Sequence, residues 1–173
     1  HDVGVGRHAS RHIDDDHEQT GRVIEVMLVD SGATDATVAI ALGADWHFPV
    51  RVVHIRPEEF TFGFSLNQGI AAARGELVAI ASAHVYPVYP DWLERLLAPF
   101  EDEKVALAYG KQRGNTTTRF SEHQIFARWF PDVSDLRQSH PFCNNASAAI
   151  RRSLWEQHPY DETLSGLEDL GWA

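Results

Sequence analysis

Apolar residues fall in short runs separated by stretches of helix length. Residues 23–29 (VIEVMLV) form a nearly continuous apolar run, the pattern of a strand covered on both faces. The run breaks at Asp30-Ser31-Gly32, and Asp35 or Thr34 is placed to cap a helix reaching about Leu42. Residues 50–55 predict a second strand. Ser65 is a cap for a helix through Ala73, which Arg74-Gly75 ends. A third strand is predicted at 77–81. Pro90-Asp91 then opens an amphipathic helix with Trp92, Leu93, Leu96, Leu97 and Phe100 on one side. A fourth strand is predicted at 105–109.

After Gly110 the periodicity weakens. Residues 111–121 read as loop, 122–130 as a helix anchored by Phe126, Trp129 and Phe130, 145–150 as a short strand, and 153–157 as a helical turn. Strands alternating with helices predict an α/β fold with a mostly parallel, twisted sheet flanked by helices. Residues 1–21 show no sustained period and read as a polar tail, so the expected domain is 22–173.

Composition narrows this picture. The chain has 173 residues, 43% hydrophobic and 23% charged, enough for one domain with a real core. Its formal charge of −10 argues against a nucleic-acid backbone as partner. Small phosphorylated ligands stay compatible, because local amides and cations can hold them. Cys143 is the only cysteine, so no internal disulfide forms, and a reducing compartment suits it. No apolar stretch reaches the length of a membrane span.

In parallel α/β sheets, ligands bind outside the carboxyl ends of the strands. Asp30, His84 and the Gly110-Lys111 turn all fall at such ends. Asp30 reads two ways, as a turn former followed by a helix cap at Asp35, or as a carboxylate accepting hydrogen bonds from a nucleobase or a ribose. Asn67 is equally open, as a local cap or as an amide that reads a ligand. Phe60, Phe62 and Phe64 alternate, which fits core or lid packing.

The ordered set VDSGATDAT, FTFGFSLNQGIAAARGE, P-x-x-P-D-W-L, YGKQ, NNASAAIRRSLWE and YDETLSGLEDLGWA resembles the family 2 glycosyltransferases of the GT-A fold. It is most similar to the bacterial group that builds surface polysaccharides, which includes rhamnosyltransferase-like members. The resemblance implies a hexosyl- or deoxyhexosyltransferase. It would use a nucleotide-sugar donor, a divalent cation (Mn²⁺ or Mg²⁺) and a glycan or lipid-linked saccharide acceptor. It also implies a cytoplasmic place at the inner face of the plasma membrane, with peripheral association and no membrane span. Asp30 and Ser31 would contact the base or ribose, Asn67 would belong to the donor-pocket helix, and Arg152 would face the diphosphate. Asp169 would be the general base of an inverting transfer, with Glu168 orienting it or touching the acceptor.

Three departures shape these expectations. Where such enzymes carry an acidic metal cluster after the third strand, this chain reads Ser82-Ala83-His84. His84 is thus the candidate metal ligand or diphosphate contact, and imidazole suits Mn²⁺ better than Mg²⁺. The apolar strand that normally opens the family is missing from residues 1–21, which would leave a free edge on the 23–29 strand. Leu66 stands where many relatives have an arginine. The chain is accordingly expected to be a trimmed fragment. A second class of function follows, a non-catalytic nucleotide-sugar-binding or scaffold module of a larger polysaccharide machine. A nucleotidyltransferase fits less well, because no Gly-rich phosphate loop is present.

Overall fold

The structure, a computed structural model, describes residues 25–83 and 85–173. The expected tail and the first two residues of the 23–29 run lie outside them. Strand β1 (Val26–Asp30) pairs in parallel with β2 (Val50–His54), from Val26 opposite Val50 to Asp30 opposite His54. A parallel pair needs a crossover, and helix α1 (Thr37–Gly43) lies in it. Asp35 accepts a hydrogen bond from the Thr37 amide at 2.9 Å, as its position before the helix predicts.

Helix α2 (Phe62–Ala72) starts four residues earlier than its sequence pattern indicates. Its cap is Thr61, whose Oγ1 accepts from the Phe64 amide at 3.0 Å. Ser65 instead donates its hydroxyl back to the Thr61 carbonyl. The Phe60/Phe62/Phe64 alternation resembles a strand, which hides the true start. Phe60 and Phe62 remain exposed and meet edge to face at 5.4 Å. Helix α2 lies against β1 so closely that a Cβ on Gly69 would come within 2.9 Å of a Val29 methyl.

The second sheet is three-stranded. Strand β5 (Ser147–Arg151) lies between β3 (Leu77–Ala81) and β4 (Leu107–Tyr109) and runs antiparallel to both. The α/β class with a parallel pair and flanking helices is as expected. Strand β5 is the exception to its parallel character, since an apolar run carries no sign of its direction. Among the described residues, no ladder joins β1 to β3.

Side chains alternate between the two faces of a strand, and β5 shows what each face meets. Ile150 packs with Ile70 of α2, Ile80 and Tyr160 on one face. Ala149 packs with Leu96 and Phe100 on the other, where helix α3 (Trp92–Leu97) and the 3₁₀ turn Ala98–Glu101 sit. Ala148, Ala149 and Ile150 are fully buried. Helices α4 (Phe120–Trp129), α5 (Arg152–Gln157) and α6 (Glu168–Trp172) complete the described chain.

Candidate functional site

Two groups of candidate residues occupy the carboxyl ends of strands. The first is at the end of β1. Leu28 to Ala33, with Thr37, line a shallow pocket there, so Asp30 and Ser31 are both in its wall. Asp30 Oδ1 accepts from the Ala33 amide at 2.8 Å, and Oδ2 lies 3.1 Å from His54 Nδ1. The Ala33 amide, followed by His54, holds the Asp30 carboxyl below the usual carboxylate range, so it is ionised at neutral pH. Gly32 has φ of 101°, a left-handed conformation that glycine adopts without steric cost. A Cβ there would also meet Pro57 at 2.9 Å.

The second group sits where β3 and β4 end and β5 begins. Ala81 faces Ser147 and Tyr109 faces Ala148, so Cys143 and Asn145, just upstream, lie at this carboxyl edge. Helix α6 is tied to it. Tyr160 donates its hydroxyl to Asn145 Oδ1 at 3.2 Å. Asn145 Nδ2 donates to Glu168 Oε1 at 3.4 Å. The Cys143 thiol reaches the Asp169 carbonyl at 3.5 Å. Burial, then the nearby Asp169 and Glu168 carboxylates, push the Cys143 thiol up to about 12, so it packs and does not react. Burial likewise raises Tyr160.

The structure therefore brings Glu168 and Asp169 together in different settings. Glu168 is buried with Asn145 as its partner. Asp169 is half-buried, and among the described residues its Oδ1 accepts from the neighbouring Leu170 amide alone.

The turn into α6 is strained. Leu167, a non-glycine residue, has φ of 64°, a conformation costing roughly 1–2 kcal/mol for a residue with a side chain. Its side chain is largely exposed, so little packing depends on it. Leu167→Gly should raise stability by about 1 kcal/mol in denaturant titration. A lower midpoint would mean that the leucine side chain itself holds the turn.

Two sequence-predicted residues stand elsewhere. Arg152 follows β5, and because β5 is antiparallel its end lies beside the start of β3, with Leu77 opposite Arg151. It is a strand length, roughly 13 Å, from the carboxyl edge that holds Asp169. There Arg152 Nε lies 3.3 Å from Glu156 and its amide donates to the Glu76 carbonyl. Arg152 is thus not placed on a diphosphate at the carboxyl edge. Asn67 is buried. Its Nδ2 donates to the Tyr160 carbonyl and Glu162 Oε1, and its Oδ1 accepts from Trp155 Nε1 and the Tyr160 amide. Those four bonds use the full capacity of an amide side chain, so Asn67 ties α2 to the 160–162 segment rather than facing a ligand. His84 lies outside the described residues.

His54 and Asn145 join the site without having been singled out. Aligning the predicted strand ends, 29 and 55, would set Asp30 beside Arg56, so the pairing with His54 comes from the observed register. Nothing local marks Asn145. The resemblance implies a divalent cation with His84 as its candidate ligand; among the described residues, which leave out His84, no three His, Cys, Asp or Glu side chains gather.

The sequence matches the glycosyl transferase family 2 over residues 11–158. The chain belongs to that family. No curated protein matches it. Solved structures share the fold of this family 2 chain. Mannosyltransferase PcManGT from Pyrobaculum calidifontis, in complex with GDP-Man and Mn²⁺, is 20% identical with a TM-score of 0.64, over 94% of this chain and 47% of that one. S. aureus TarS 1-349 is 18% identical with a TM-score of 0.60, over 84% and 43%. Glucosyl-3-phosphoglycerate synthase from Mycobacterium tuberculosis, with Mn²⁺, UDP and phosphoglyceric acid, is 23% identical with a TM-score of 0.60, over 98% and 60%. The family 2 chain thus spans about half the length of the solved proteins it resembles. Among the described residues, no helix is long and apolar enough to cross a membrane.

Proposed function

We propose that this family 2 chain carries the donor site and the general base of an inverting glycosyltransferase. The observation that carries the reading is Asp169, half-buried and held at the carboxyl edge of β3 and β4 by bonds from Cys143 and through Glu168 to Asn145. The acceptor hydroxyl oxygen attacks the anomeric carbon of the donor sugar. The bond from that carbon to the nucleoside diphosphate breaks, and the hydroxyl proton passes to the Asp169 carboxylate. Glu168 orients the acid pair. Asp30 and Ser31 hold the nucleoside.

The bound GDP-Man and UDP in two of the similar structures support a nucleotide-sugar donor. A hexose or deoxyhexose is the proposed sugar, and a glycan or lipid-linked saccharide in bacterial polysaccharide assembly is the proposed acceptor. The proposed setting is cytoplasmic, at the inner face of the plasma membrane. The Mn²⁺ in the same structures supports a divalent cation, with His84 as its proposed ligand. None of the steps above depends on it.

The test is calorimetry with UDP, GDP and dTDP, followed by turnover of the matching sugar nucleotides. Asp30→Ala should weaken nucleotide binding roughly tenfold to a hundredfold, the range for hydrogen bonds to a charged group. The domain should stay folded by circular dichroism. Unchanged affinity in a folded Asp30→Ala protein would remove Asp30 from the donor site. Tight binding with no turnover of any donor would favour a non-catalytic module.

A further inference from the structure

We propose that Lys111 and Arg113 form a phosphate-binding site at the carboxyl end of β4, where the Asp132 carboxylate stands in for a phosphate carried by the acceptor. This rests on the reading of Asp169 as the base that meets the acceptor. The Gly110-Lys111 turn follows Tyr109, the last residue of β4, and the Gly110 amide donates to the Ser147 carbonyl at 2.7 Å. Lys111 Nζ and Arg113 Nη2 both donate to one oxygen, Asp132 Oδ1, the arginine at 2.9 Å. Two cationic donors converging on a single anionic oxygen is an arrangement that holds a phosphate oxygen. Among the described residues, no other carboxylate is shared by two cationic side chains.

The exposures fit a carboxylate that can be displaced. The Asp132 side chain is 85% exposed, against 42% for Lys111 and 40% for Arg113, so it covers the cations from the solvent side. Bonds from Lys111, then from Arg113, hold its carboxyl below the usual carboxylate range, so it is ionised at neutral pH and competes with an incoming anion. An exposed ion pair adds little stability, and a phosphate brings a larger charge and three strong acceptor oxygens. Two cations against one carboxylate leave the cluster net positive in a chain of formal charge −10, which favours an anion at this place.

Both partners are anchored towards the acid pair. Arg113 Nη1 donates to the Gln112 carbonyl at 2.7 Å, and Gln112 Nε2 donates to Asn144 Oδ1 at 2.5 Å. The next residue, Asn145, reaches Glu168. Asp132 follows the buried Phe130, which packs edge to face on Tyr109 and Phe142. The Asp30 pocket belongs to the other sheet. The phosphate is therefore assigned to the acceptor rather than to the donor.

The experiment titrates inorganic phosphate into the full chain by calorimetry at fixed ionic strength, with and without saturating UDP or GDP. Lys111→Ala and Arg113→Ala should each weaken phosphate roughly threefold to tenfold, and Arg113→Lys should recover part of the loss. Asp132→Asn removes the competing anion and keeps the shape, so it should tighten phosphate by a similar factor. Arg95→Ala, at an exposed arginine paired with Asp91, controls for diffuse electrostatics and should change nothing. No gain in a folded Asp132→Asn protein would reduce the cluster to a structural ion pair and overturn the site. So would equal losses in Arg95→Ala and Arg113→Ala, or no phosphate binding by the unaltered chain, and either leaves the nucleotide reading standing. Phosphate binding retained beside UDP or GDP supports the acceptor assignment, and binding abolished by them overturns it in favour of the donor diphosphate. Failure of both nucleotides to bind the unaltered chain overturns the donor reading and with it the acceptor assignment, while the variant ratios still decide the phosphate site.

Discussion

Asp169→Asn should lower sugar transfer by about 10²–10⁴-fold, the usual contribution of a positioned general base, and leave nucleotide affinity within twofold. The substitution keeps the size and the hydrogen bond from the Leu170 amide, and it removes only the capacity to take a proton. The measurement is single-turnover donor consumption, with nucleotide affinity determined separately. Transfer at the unaltered rate would exclude Asp169 as the base. A parallel loss of nucleotide affinity would mean that Asp169 holds the donor. Glu168→Gln probes its neighbour. A positioning carboxylate should lower turnover far less than Asp169→Asn, because Asn145 still meets an oxygen at that position.

Asn67→Ala should destabilise the domain by about 3 kcal/mol or more. It strands the indole N–H of Trp155 and the Tyr160 amide without their acceptor, and the Tyr160 carbonyl and Glu162 without their donor. Each buried polar group left unpaired costs roughly 1–3 kcal/mol, and water reaching the gap would recover part of that. The effect should extend to function. The 160–162 segment leads towards α6, and Tyr160 also holds Asn145, so losing Asn67 loosens the support of the acid pair. Denaturant titration reads the stability, and near-ultraviolet circular dichroism reads the Trp155 and Tyr160 environment. A loss below about 1 kcal/mol, with an unchanged tryptophan signal, would show that the four bonds are not the tie they are taken to be.

Much of the fold is legible from the apolar pattern. The run at 50–55 becomes β2 one residue shorter, that at 77–81 becomes β3 unchanged, and the helix after Pro90 buries Leu93, Leu96 and Phe100 as its spacing predicts. The misses have local causes. Three alternating phenylalanines conceal the first turn of α2, because period two is a strand signal. Strand β4 begins at Leu107 rather than at 105. The Val105 amide instead turns back to the Asp102 carbonyl, and Arg151 caps the Phe100, Asp102 and Val105 carbonyls, a contact between segments far apart in sequence.

The candidate site divides along the same line. The amino-acid sequence by itself determined the α/β alternation, the place of Asp30 at a strand end, the family pattern, and the acidic pair near the end of the chain. These follow from local order, since apolar runs make strands and a break after a run makes a loop. Tertiary structure alone decided the direction of β5, which sends Arg152 to one edge of the sheet and Asn145 with the acid pair to the other. It likewise decided the register that sets His54 against Asp30, and the burial that commits Asn67 to four internal bonds. Strand direction, register and burial depend on which distant segments meet, and no local stretch of residues carries that information.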